Sequence, residues 1–421
     1  MNNNHSAEEL IKRSINAVLK VSRPETCLPE FVPAPPTGNI IVIGAGKASA
    51  EMARVFENEY LSRYPDQQIT GAVVTRYGHA VETEHIKILE AAHPVPDASC
   101  VTAVNEITEI IKSAKKDDLI VCLLSGGGSS LLSAPIDGIE FETLKDLSKE
   151  LLISGANIIE MNTVRKHLNR ALGGGLALIA GNIPMLTLSI SDVSGNLPSI
   201  IASGPTVPDD STLDDCIDIL KKYDITPDYT IEKALHDPKN ETADYTNPIF
   251  ANKSYQLIAT PEQALKAAQE YWEDAGFHVH NLGANIDGDT NQAANEQLNL
   301  IKEISQSPIA IISGGETTVK VKGDGKGGPN TQFALQAAIT LKGQENIYVM
   351  AYDTDGIDGS EDNGGAICTP DTLQKALEAN VNPQEHLNNN DSYSFFKSLD
   401  DLIITGPTHT NVNDYRVVLV L

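Results

Sequence analysis

Apolar positions in this chain fall into two alternating rhythms. Leu10, Ile11, Ile15, Val18 and Leu19 recur at helical spacing across residues 6–20, and Pro24, Pro33, Pro35 and Pro36 then enforce an extended connection. Short apolar runs at 40–43, 71–75, 86–89, 119–124 and 185–190 read as strands. Between and around them, 47–60, 100–114, 141–153 and 157–180 carry helical periodicity. Alternation of this kind predicts an α/β fold with a doubly wound, mostly parallel, Rossmann-like sheet. A polar stretch at 236–254 interrupts the pattern and reads as a domain crossing, dividing the chain into an N-terminal domain, 1–240, and a C-terminal one, 250–421. Beyond it the strand-like segments 255–260, 277–283, 309–315, 319–323 (VKVKG), 347–356 and 415–421 alternate with helical segments 262–274, 290–305 and 331–341. Two α/β domains with a cleft between them are therefore expected.

Composition fits a globular protein: 421 residues, 41% hydrophobic, 5% aromatic, 31 glycines. Fifty-seven acidic against 31 basic residues give a net charge of −26 without any sustained basic block, which argues against nucleic acid and anionic membrane surfaces as partners. An anionic substrate would have to meet locally placed cations or backbone N–H groups. Cys27, Cys100, Cys122, Cys216 and Cys368 are scattered and form no C-x-x-C spacing, so neither a disulfide framework nor a zinc site is expected. The start lacks an apolar signal core and no 18-residue apolar run follows, so a cytoplasmic location is expected.

Candidate chemistry concentrates in glycine-rich turns after strands. In IIVIGAGKASAEMA (40–53), Ile41 and Ala48 rule out a G-x-x-x-x-G-K-[ST] phosphate loop, while Ser49 and Arg76 weaken a dinucleotide fingerprint without removing an NADP site. Lys47, following Gly44 and Gly46, suits a phosphoryl oxygen; a lysine on a solvated face is the plainer reading. In LLSGGGSSLLSAP, Gly126, Gly127 and Gly128 allow left-handed backbone and close approach, and Ser125, Ser129 and Ser130 supply hydroxyls, together an anion cradle. Arg165, Lys166, His167 and Arg170 gather positive charge ahead of a second triple glycine. Asp192 follows an apolar strand, where an acid is placed to bind a metal or take a proton from a hydroxyl. Gly314, Gly315 and Glu316 repeat the strand-then-glycine pattern, and Asp353, Asp355 and Asp358 follow another strand, where Mg²⁺ held by one or two carboxylates fits better than an EF-hand. No G-x-S-x-G is present, and His93 and His409 stand in proline-containing turns without an identifiable nucleophile, which argues against acyl transfer. Glycine turns, an isolated lysine and strand-end acids are the parts of phosphoryl transfer.

These segments, GAGKAS, SGGGSSLL, N-x-VRKHL with GGGLA, SDV-x-GN with IASGPT, SGGETTV with GKGG, DTDGIDG and GPT-x-TNVND, resemble in order the motifs of the glycerate 2-kinase family, over residues 7–421. The resemblance implies phosphorylation of the 2-hydroxyl of D-glycerate, or a related small hydroxy acid, with ATP and a divalent metal. It implies Lys47 and Asp192 as catalytic residues, the glycine turns and Glu316 as the nucleotide site, and Arg165, Asn330, His409 and Asn411 toward the substrate. Asp353 and Asp355 are the metal candidates on charge. A homodimer is allowed. Two departures stand out: Gly-Gly-Pro329-Asn-x-Gln332 replaces the family's Gly-Gly-Arg-Asn-x-Glu, and His409 replaces a glycine. An NAD(P)H-dependent hydroxypyruvate reductase and a ligand-binding relative without catalysis are the alternatives.

Overall fold

The computed structural model describes residues 6–304 and 306–421. Residues 1–5 of the expected leaderless start and residue 305 of the expected 290–305 helix lie outside them. The chain forms two compact units, one of residues 27–191 and 196–258, the other of residues before 27, 192–195 and 259–421.

The first unit is built on a six-stranded sheet in the order β3-β2-β1-β4-β5-β6: β1 Ile40–Ala45, β2 Ile69–Arg76, β3 Ile86–Ala91, β4 Leu119–Leu124, β5 Met185–Ile190 and β6 Lys253–Ala259. β1 pairs in parallel with both β2 and β4, and all six of its residues are buried. A strand covered on both faces must be apolar throughout, which is why these runs were continuous rather than alternating. Helices Ser49–Arg63 and Ala98–Ser113 cover the sheet, the second capped by the Asp97 side chain. A separate helical core gathers Leu144, Leu147, Leu151, Met161, Val164 and Leu220.

The second unit carries the strand order β11-β10-β9-β12-β8-β7: β7 His278–Asn281, β8 Ile309–Gly315, β9 Ile347–Asp353, β10 Gly365–Cys368, β11 Leu402–Ile403 and β12 Asp414–Val420. β12 lies antiparallel between β8 and β9, so this sheet is mixed. Asp414 thereby sits opposite both Gly315 and Asp353.

Several expectations are corrected. Residues 319–323 form no strand: the backbone N–H groups of Lys322 and Gly323 donate to Asn390 Oδ1, and that of Lys326 to Asp391. The helix expected over 157–180 is two, Ile158–His167 and Gly175–Ala180. Between them the Arg170 N–H bonds to Ala134, and those of Gly173 and Gly174, both with positive φ, bond to Ser203 and Gly204. The polar stretch 236–254 is tied into the first unit through Glu241, Thr242 and Ala243 rather than linking two bodies. Helix Ala7–Ser22 groups with the second unit because its apolar face (Ile11, Ile15, Val18, Leu19) is buried there. Tyr271 Oη donates to Leu10 O at 2.9 Å and Tyr415 Oη to Ser14 Oγ at 3.0 Å.

Candidate functional site

In the first unit the strand order reverses between β1 and β4, the place where doubly wound sheets bind ligands at the carboxyl ends of their strands. Both glycine turns lie there, pressed together. A Cβ on Gly46 (φ +141°) would stand 2.1 Å from Ser125 Oγ, so only glycine allows the approach. The Lys47 N–H donates to Gly126 O (2.8 Å), Ala48 N–H to Ser125 Oγ (3.0 Å) and Ser49 Oγ to Leu123 O (3.0 Å). Ser125 is fully buried and serves to lock the turns; Ser49, where a dinucleotide fingerprint has a small third residue, is bonded into the same lock.

Gly127 adopts φ +82°, and a Cβ there would lie 3.4 Å from Lys47 Cγ and 2.8 Å from His93 Nε2. Ser129 and Ser203 share a 2.7 Å hydroxyl contact, and Ser130 donates to Pro94 O at 2.8 Å. Ala202 and Ser203 both have positive φ, sparsely populated for residues with a Cβ, and Ala202 stands where a Cβ on Gly128 would strike it. Thus 125–130, 173–175 and 202–204 meet in one junction. Ser203 and His93 also lie at this junction; the IASGPT motif signals Ser203, whereas nothing local signals His93.

Of the clustered cations, Lys166 is paired with Asp209 (2.9 Å), His167 bridges Thr163 O and Glu241 (3.0 Å each), and Arg170 bonds to Asn105. Arg165 makes no hydrogen bond or ion pair among the described residues, and burial pushes its guanidinium below the usual arginine range. On the same face of the helix, one turn earlier, the Asn162 Oδ1 is buried without a partner among the described residues.

The second unit holds the acids. Asp192 Oδ2 accepts from Asn411 Nδ2 (2.9 Å) and its carbonyl from Asn413 Nδ2 (3.1 Å), bringing together a proposed base and a proposed substrate residue. Segment 408–413 is laced to the turn after β9: Thr354 Oγ1 donates to Asn413 O (2.6 Å) and Thr408 N–H to Asp355 O (3.1 Å). Asp353 Oδ1 accepts from Asp355 N–H, and Asp355 Oδ1 from Ile357 N–H. Among the described residues no group of three or more His, Cys, Asp or Glu could hold a metal ion, whereas a cation such as Mg²⁺ in general needs only one or two carboxylates, with water and phosphate oxygens completing its shell.

Asn330 is fully buried; its Nδ2 donates to Asp414 Oδ1 (2.7 Å) and its N–H to Asp358 (2.9 Å), while Asn330 Oδ1 has no partner among the described residues. Asp414 is ion-paired with the fully buried Arg416, whose guanidinium also donates to Gly314 O, Gly315 O and Thr317 Oγ1. Burial, outweighing the stabilising Arg416 and Asn330 and aided by Asp358 and Glu316, pushes the Asp414 carboxyl up to about 6. Gly315, with positive φ, leaves room for the Ile286 backbone, and Glu316 is exposed.

The two departures acquire physical reasons. Pro329 is the first residue of helix Pro329–Leu341, where its missing N–H costs no helical bond. His409 has φ +58°, the left-handed conformation that the family's glycine adopts without strain. Gln332 donates to Asn291 and accepts from Asn390, an amide bridge in which a carboxylate could not donate.

A raised carboxyl pKa has a definite sign. Asp414 binds its proton more tightly in the folded state, so the stability it contributes is present below about 4 and is lost as pH rises toward about 6. The fall in melting temperature across that window should be shallower in Asp414→Asn; an unchanged slope would show the carboxyl ionised throughout.

Residues 7–236 match the family described as a domain of unknown function, DUF4147, and residues 309–414 match the MOFRL family. The D-glycerate 2-kinase of Thermotoga maritima is 35% identical over 99% of this chain and 98% of its own length, and the glycerate 2-kinase of Pyrococcus horikoshii 37% identical over 91% and 88%. An Agrobacterium vitis protein provisionally named a hydroxypyruvate reductase is 41% identical over 99% of this chain and 95% of its own. The crystal structure of a Thermotoga maritima glycerate kinase superposes with a TM-score of 0.85 at 34% identity, over 99% of this chain and 98% of that one. A DUF4147 segment followed by a MOFRL segment, with full-length similarity to phosphotransferases of known structure, makes this chain a member of the glycerate 2-kinase family.

Proposed function

We propose that the chain transfers a phosphoryl group from ATP to the 2-hydroxyl of D-glycerate or a closely related sugar acid, giving the 2-phosphate. The observation that carries the reading is the pair of interlocked glycine turns at the sheet's reversal point, with Lys47 on one of them. Phosphoryl transfer needs little covalent help from a protein; it needs the groups held in line and the charge on the phosphoryl oxygens neutralised. Lys47 supplies a mobile positive charge beside a backbone that glycine leaves uncovered. Asp192, oriented by Asn411, accepts the proton of the acceptor hydroxyl as that oxygen bonds to phosphorus and the β,γ-bridging bond breaks. Asp353 and Asp355 would hold Mg²⁺, which supplies charge neutralisation on the phosphates when bound. Arg165 takes the carboxylate of the acceptor, a role for which burial without an ion partner prepares it. Lys326, another candidate for that charge, is already paired with Glu361. Among the described residues no helix is long and apolar enough to span a membrane, and we place the reaction in the cytoplasm, with a homodimer allowed and without nucleic acid as a partner.

The deciding assay follows ADP release with D-glycerate and identifies the product by phosphorus NMR, the 2-phosphate being expected. Oxidation of NADPH dependent on hydroxypyruvate, with no ADP release, would establish the reductase reading suggested by the Agrobacterium relative's name. Nucleotide binding without turnover of either kind would mark a non-catalytic relative. Arg165→Met should raise the acceptor KM by about 10–100-fold, the loss of one charged hydrogen bond, and leave that for ATP unchanged; equal rises in both would remove Arg165 from the acceptor's carboxylate.

A further inference from the structure

Thr354 stands between Asp353 and Asp355 in the turn that follows β9, buried, and its polar atoms are bonded to segment 408–413. Its Oγ1 donates to Asn413 O (2.6 Å) and accepts from the Val412 N–H (2.9 Å). Its N–H also donates to Asn413 O (3.3 Å), and its carbonyl accepts from Thr408 Oγ1. The turn itself is held by other bonds: Asp353 O accepts from the Gly356 N–H (3.0 Å), Asp353 Oδ1 from that of Asp355 (2.9 Å) and Asp355 Oδ1 from that of Ile357 (2.8 Å). What the hydroxyl orders is therefore the facing segment. That segment is sharply bent, with φ +58° at His409 and +71° at Asn413, conformations that persist where the surroundings over-determine them.

The bend in turn holds Asp192. Asn411 Nδ2 donates to Asp192 Oδ2 (2.9 Å), Asn413 Nδ2 donates to Asp192 O (3.1 Å), and the Asn413 N–H donates to Asn411 Oδ1 (3.2 Å), tying the two asparagines together. A methyl in place of Thr354 Oγ1 would keep the volume and take away the acceptor of the Val412 N–H. A backbone N–H stranded in the interior is costly, so the segment would shift to find another partner.

Resting on the kinase reading, we propose that Thr354 is a positioning residue for phosphoryl transfer: its hydroxyl fixes the bend at 411–413 and thereby holds Asp192 where it takes the acceptor's proton. The hydroxyl touches neither acceptor nor ATP and keeps its own proton throughout. A misplacement of about 1 Å in such a group costs about 10²-fold in rate.

The test sets Thr354→Val, which removes the hydroxyl at nearly constant volume, against Thr354→Ser, which keeps it. A control, Thr372→Val, removes another fully buried hydroxyl of the same unit, one that accepts from the Thr369 N–H (2.8 Å). Thr354→Val should lose about 100-fold in kcat with the KM for ATP within twofold, and its hydrogen exchange, followed by mass spectrometry, should quicken about tenfold in peptides spanning 408–414 and 190–196. Thr354→Ser should stay within about fivefold of wild type in both measurements. Thr372→Val should lower the melting temperature and leave kcat unchanged. Asn413→Gly, which keeps the left-handed backbone and the carbonyl that Thr354 meets, should by itself cost about tenfold in kcat, a result that stands even where Thr354→Val does not fold. A Thr354→Val enzyme within threefold of wild-type kcat would overturn the proposal, as would a Thr354→Ser variant equally slow or a Thr372→Val variant losing as much kcat. Unchanged exchange at 190–196, or a fully active Asn413→Gly, would overturn it too. Should the wild type release no ADP with any hydroxy acid, the kinase reading falls, and exchange at 190–196 still decides whether the Thr354 hydroxyl holds Asp192.

Discussion

Exchanging Lys47 for methionine should reduce kcat by about 10²–10³-fold while leaving the melting temperature within a few degrees of wild type. The separation of the two effects follows from how the residue is held. Its backbone N–H donates to Gly126 O and its neighbour Ala48 to Ser125 Oγ, and neither bond involves the side chain. Methionine keeps an unbranched stem to lie against Gly127, so the packing there is retained while the ammonium is lost. The lost charge matters most where phosphoryl oxygens carry the greatest negative charge, in a protein whose net charge of −26 offers no general compensation. Steady-state kinetics with ATP and D-glycerate, alongside thermal denaturation, checks both halves. A Lys47→Met enzyme of normal kcat would mean the ammonium never reaches the transferred group, and the glycine turns would need another ligand.

Arg416→Met should destabilise the second unit by about 3–5 kcal/mol, the cost of leaving a buried carboxylate without its counter-charge. Arg416 is fully buried, pairs with Asp414, lies over the Phe333 ring at 5.5 Å and donates to the carbonyls of Gly314 and Gly315. Its removal strands both the acid and the carbonyl acceptors at the end of β8. The double variant Arg416→Met with Asp414→Asn should recover part of the loss, because the remaining amide carries no charge to desolvate. Denaturant titration of the single and double variants measures this; a single variant within 1 kcal/mol of wild type would show that Asp414 is already neutral in the fold.

How far the sequence carries depends on the range over which each feature is specified. β1 and β4 were readable because burial on both faces demands unbroken apolar runs, a local property. The break at 168–174 was not, because Ala134, Ser203 and Gly204 accept N–H groups that a continuous helix would have used. The pairing of Asp192 with Asn411 spans 219 positions, and each residue alone reads as an ordinary turn former. His93 was set aside for want of a nucleophile, and its ring packs against Gly127, a contact between segments distant in sequence. Pro329 and His409 were visible as departures, and their reasons, a first helical position and a left-handed backbone, are properties of geometry.

The central place of β12 bears on the order in which the chain is made. The second sheet has β8 and β9 on either side of a strand that does not exist until residue 420 has been synthesised, and helix Ala7–Ser22, which precedes the first unit in the chain, waits for partners as late as Tyr271 and Tyr415. The first unit, nearly continuous in sequence, meets all its own strands by residue 259. During translation the early helix therefore spends most of the ribosome's passage with its apolar stripe unburied, a natural client for a chaperone, and a message truncated shortly before residue 414 yields a folded first unit tethered to a collapsed and aggregation-prone remainder.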